Sequence, residues 1–94
     1  MNSDVEDFVQ ALERFVRAEL ARTDGTPEYS TRLIRVVDAR GHLFASAGRG
    51  PADEAAGVYP LRDFFLLRAE QLDFVPNRGR LLAVARDYFG PAVG

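Results

Sequence analysis

The sequence predicts a small α+β domain, and three observations predict it. Residues 3–22 and 77–89 repeat apolar side chains every three to four positions, the period of helices that bury one face. Between them Thr31 to Ala47, TRLIRVVDARGHLFASA, reads as two alternating strands about a turn. A chain of 94 residues, 47% of them hydrophobic, can bury one core. The expected order is α-β-β-α-α, an antiparallel β-hairpin packed against helices, with its sheet completed by dimerisation. Residues 1–94 form a single domain, with 90–94 as a frayed tail.

The first helix opens on Ser3 with Glu6 at capping-box spacing, and Asp4 and Asp7 place negative charge where the helix dipole favours it. Val5, Phe8, Val9, Leu12, Phe15, Val16 and Leu20 then make one apolar stripe. Arg22 lies in the last turn and Gly25 is the expected stop.

In the hairpin, Asp38-Ala39-Arg40-Gly41 fits a type I turn with Gly41 left-handed, which makes a G1-bulge connection. Asp38 then opposes His42, Val37 faces Leu43, Val36 faces Phe44 and Leu33 faces Ala47. This pairing leaves both faces apolar: Leu33, Val37, Leu43, Ala45 and Ala47 on one, and Ile34, Val36 and Phe44 on the other. No other segment reads as a third strand. A two-stranded ribbon is marginal alone in water, so its second face and its edges need cover.

Residues 48–57, GRGPADEAAG, read as a loop. Pro60 suits the first position of a helix, followed by Leu61, Phe64, Phe65, Ala69 and Leu72 at helical spacing. Leu66 and Leu67 fill the remaining faces, so a strand over Phe64–Leu67 is the competing reading. Asn77 is the expected N-cap of the last helix, whose apolar side is Leu81, Leu82, Val84, Ala85, Tyr88 and Phe89. Gly90-Pro91 closes it.

Composition narrows function more than it names it. Twelve Arg, no Lys and fourteen acids give a net charge of −2, which argues against a dedicated nucleic-acid binder. The absence of Lys reads most simply as codon bias in a GC-rich genome, which the 13 Ala and 8 Gly also fit. Without cysteine there is no disulfide, thiol nucleophile or thiolate metal site. The opening MNSDVED is acidic and unlike a signal peptide, and no apolar run spans a bilayer, so a cytoplasmic, non-membrane protein is expected.

Candidate chemistry is thin. His42 opposite Asp38 could orient a general base, with Ser46 on the same face, but a solvent-facing ion pair is the plainer reading. One His, no Cys and no spaced carboxylates leave no metal motif, and no cofactor is expected. The glycines around Arg49 match neither a P-loop nor a dinucleotide fingerprint. Asp53-Glu54 reads as a solvated pair. Arg78 and Arg80 occupy a helix first turn that disfavours cations, so an acid or an anion is expected beside them.

Asp38-Ala39-Arg40-Gly41-His42-Leu43-Phe44-Ala45-Ser46 resembles the second-strand hairpin of small sensor folds such as roadblock and PAS domains. The likeness ends with the hairpin, and no family is assigned.

The expectation is therefore a non-enzymatic protein-interaction module that self-associates, as a homodimer or with an unidentified protein partner. Its interaction residues are Leu33, Ile34, Val36, Val37, Leu43 and Phe44. The alternative is a small-ligand or anion-binding regulatory domain using the 48–57 loop with Arg49, Arg78 and Arg80.

Overall fold

The computed structural model describes residues 3–23, 26–47 and 57–93. Its elements run α1 (Ser3–Ala21), β1 (Glu28–Ser30), β2 (Ile34–Ala39), β3 (His42–Ala47), β4 (Val58–Pro60), α2 (Leu61–Gln71) and α3 (Arg78–Phe89), with a 3-10 turn at Pro91–Val93. The strands form one antiparallel meander in the order β1-β2-β3-β4. The α+β class holds, but the order α-β-β-α-α does not: the hairpin carries a short strand on each side. Each of these strands is three residues long, too short for alternation to be visible in sequence.

The hairpin register also differs from the expected one. Ala39 opposes His42, Val37 opposes Phe44 and Val36 opposes Ala45. Arg40 (φ 56°) and Gly41 (φ 85°) are both left-handed, which makes a two-residue type I′ turn rather than a G1 bulge. Because side chains alternate with period two, that one-residue shift moves the apolar set of β2 to the other face. Ile34, Val36, Leu43 and Ala45 now share one face, and all four are buried. The expectation of two apolar faces gives way to one core face and one mixed face.

All three helices bury their stripes in the same core as that sheet face. α1 contributes Val5, Phe8, Val9, Leu12 and Val16; α2 contributes Leu61, Phe64, Phe65 and Ala69; α3 contributes Leu81, Val84, Ala85 and Phe89. Phe64–Leu67 is helical, because α2 lies over the sheet and packs its all-round apolar surface on several sides. The aromatic rings interlock edge to face, with Phe65 5.6 Å from Phe8 and 5.7 Å from Tyr88. Val93 is buried in this cluster too, so the C-terminal turn is anchored rather than frayed through Val93.

Caps explain the helix ends. Pro60, expected as the first helical residue, stands instead at the N-cap of α2 (φ −51°, ψ 146°). Asn77 caps α3 as expected, its side chain accepting from the Arg80 N–H at 2.9 Å. At the end of α2, Asp73 N–H donates to Glu70 and Phe74 N–H to Ala69, both at 3.1 Å, a Schellman motif with Asp73 left-handed at φ 60°. Thr31 Oγ1 donates to the Tyr88 carbonyl at 2.7 Å, tying the β1–β2 connection to the last turn of α3.

Candidate interaction surface

With the helices on one side, the register assigns the other side of the sheet residue by residue. One row crosses all four strands as Glu28, Val37, Phe44 and Pro60, and the next as Ser30, Arg35, Ser46 and Val58. Ala39 and His42 complete the face beside the turn. None of these ten residues is buried, and Val58 is 64% exposed.

Polarity divides this face. Toward β1, the Arg35 guanidinium meets the Glu28 carboxylate at 3.3 Å, and Ser30 Oγ donates to the same oxygen at 3.0 Å. Toward β4, Phe44, Pro60 and Val58 are apolar, with Val37 beside Phe44 at the centre. Neither Val37 nor Phe44 belongs to the core cluster or to the side chains packed against it.

The six hairpin residues expected at an interface are thus sorted by the pleat. Ile34, Val36 and Leu43 are in the core under the helices. Val37 and Phe44 lie on the open face. Leu33, 45% exposed, lies in the connection between β1 and β2. Sequence reading missed Val58 and Pro60; the only signal was a β-branched and an aromatic residue before a proline, which marks an edge strand.

The expected His–Asp arrangement does not form. Asp38 opposes Leu43 and faces the helices, where it accepts from Gly41 N–H at 2.9 Å and meets Arg17 at 3.5 Å. His42, on the open face, opposes Ala39. Among the described residues no three His, Cys, Asp or Glu side chains are grouped to hold a metal ion. No described helix is long and apolar enough to cross a membrane.

Arg78 and Arg80 sit in the first turn of α3, as expected. The Arg80 guanidinium lies over an aromatic face, 5.8 Å from the Phe74 ring centre. Arg49 and the Asp53-Glu54 pair lie outside the described residues, as does Gly25. A second apolar surface surrounds the α2–α3 connection, where a groove is lined by Leu66, Phe74, Val75 and Pro76 together with Glu70 and Asp73.

One phenol is perturbed. Tyr29 has its pKa raised, first by burial and then by the Glu19 carboxylate, with Arg22 opposing. Its ring stacks on Phe89 at 6.0 Å and meets Phe15 edge-on, so the shift is explained by packing.

Comparison with known protein families, curated proteins and solved structures finds no match.

Proposed function

We propose that this protein is a non-enzymatic interaction module that self-associates through the open face of its sheet. The observation that carries the reading is the row Val37–Phe44–Pro60 with Val58 beside it, apolar side chains on the face turned away from the helices. Two such faces pack isologously, Phe44 against the apolar half of the second copy, with the Glu28–Arg35 pairs toward the rim.

Area sets the strength. Strands about 4.8 Å apart with a rise of about 3.3 Å per residue give this face about 300 Å². A standard interface takes about 800 Å² from each partner. The association is therefore of the weak, transient kind. The edges are poorer candidates than the face, because three-residue strands offer few hydrogen bonds and Pro60 removes a donor.

Sedimentation equilibrium from about 10 µM to about 1 mM tests the reading. The wild type shifts from monomer to dimer over that range. Phe44→Glu, with unchanged far-UV circular dichroism, loses the association below about 100 µM. A wild type that is monomeric throughout overturns the proposal.

A further inference from the structure

Backbone polarity distinguishes the two edges of the sheet. In a two-residue hairpin the closing pair, here Ala39 and His42, exchanges hydrogen bonds across β2 and β3. Alternation then directs the N–H and C=O groups of Ile34, Val36 and Asp38 toward β1. Two bonds agree with this assignment: Asp38 N–H donates to Pro27 O, and Thr31 N–H to Ile34 O, both at 2.9 Å. Tyr29, opposite Val36, is thereby the residue of β1 that bonds inward. The N–H and C=O groups of Glu28 and Ser30 point out of the sheet.

The same alternation on the far side makes Ala45–Tyr59 the bonded pair and turns Val58 and Pro60 outward. Pro60 has no N–H, and its chain turns directly into α2. The β4 edge is blunted, whereas the β1 edge offers two donors and two acceptors.

We propose that the β1 edge pairs antiparallel with β1 of a second copy, making a continuous eight-stranded sheet about a two-fold axis at Tyr29. The pattern is its own complement. Glu28 bonds to Ser30 of the second copy and Ser30 to its Glu28, each pair exchanging two hydrogen bonds, four in all. Tyr29 faces its own counterpart across the axis as a non-hydrogen-bonded pair. Charge agrees as well: Glu28 is balanced by Arg35 on the open side, and Glu19 by Arg22 at 3.4 Å on α1. Each copy thus brings equal numbers of acids and bases near the axis, which favours a second copy over a strongly charged peptide. Four hydrogen bonds are weak against the cost of association, so the contact belongs to the upper end of concentration. It uses a different surface from Phe44, and each contact can be lost without the other.

Residue-resolved amide exchange at about 20 µM and about 1 mM tests this, in the wild type and in Phe44→Glu. The expected result is that the Glu28 and Ser30 amides exchange about twofold more slowly at the higher concentration in both proteins. The Tyr29 amide, bonded inward to Val36, is unaffected by concentration. Ser30→Pro, which removes an outward donor, abolishes the concentration dependence at Glu28, while Ser30→Ala retains it. Exchange at Glu28 and Ser30 that is independent of concentration overturns the edge contact, even if the wild type dimerises through Phe44. Protection that disappears in Phe44→Glu overturns it as an independent contact. Because the exchange comparison in the unsubstituted edge decides the matter, it stands even if Ser30→Pro fails to fold.

Discussion

The Arg17 guanidinium on α1 donates to the carbonyl of Gly41 at 2.6 Å, joining the first helix to a turn 24 positions later. The same side chain meets Asp38 at 3.5 Å, and Asp38 in turn accepts from the Gly41 N–H. Arg17 therefore holds the hairpin turn from the helix side and fixes how α1 lies on the sheet.

Replacing Arg17 by Met keeps most of the aliphatic stem and removes the donors. The Arg17 side chain is 44% exposed, so solvent screening discounts the loss to about 0.5–1 kcal/mol. Urea unfolding is expected to show a lower midpoint with an unchanged slope.

Arg40 occupies a left-handed position in a type I′ turn, where a bulky side chain is disfavoured and Asn is favoured. Arg40→Asn is expected to stabilise the protein by about 0.5–1 kcal/mol, a rise in Tm of several degrees for a domain of this size. Thermal unfolding checks this, and an unchanged or lower Tm contradicts the turn assignment.

Asp73 presents the same situation at the end of α2, with φ at 60° and a carboxylate near the negative end of the helix dipole. Asp73→Gly relieves both and is expected to add about 1 kcal/mol of stability. Asp73→Ala removes the charge but keeps the backbone strain, so it gains less than glycine does. The ordering Gly above Ala, measured by denaturation, is the diagnostic result.

Tyr29 ties stability to alkaline pH. Its folded pKa lies above the unfolded value of 10.0, chiefly because burial disfavours the phenolate. Above that unfolded value the unfolded chain releases the proton while the folded chain still holds it, so the unfolded state binds fewer protons and stability falls. The contribution is fully present below pH 10 and is lost as pH rises through the folded pKa. Tyr29→Phe is expected to flatten the alkaline limb of the stability profile, measured by urea unfolding across that range.

Much of this architecture was legible in the residues. The stripe of α1, the Asn77 cap and the existence of the hairpin follow from period and capping chemistry. The register did not follow, because Asp38-Ala39-Arg40-Gly41 lacks the Asn-Gly signal of a type I′ turn, and a left-handed Arg40 is not the residue a turn of that type selects. Missing the register reversed the faces of β2: Ile34 and Val36 are core, and Val37 joins Phe44 outside. The flanking strands were illegible for a different reason. Glu28-Tyr29-Ser30 and Val58-Tyr59-Pro60 become strands through pairing with β2 and β3, a tertiary effect that overrides weak local preference.

Pro60 has a consequence for where growth of the sheet must stop. A linear polymer needs monomers with two reactive ends, and this sheet has only one. When two copies join at β1, both outer ends are β4, each blunted by a proline whose imide nitrogen has no proton to donate. Along its hydrogen-bonding direction the sheet is monofunctional: it couples once and terminates. A single ring closure in one side chain thus limits how far the sheet itself can extend.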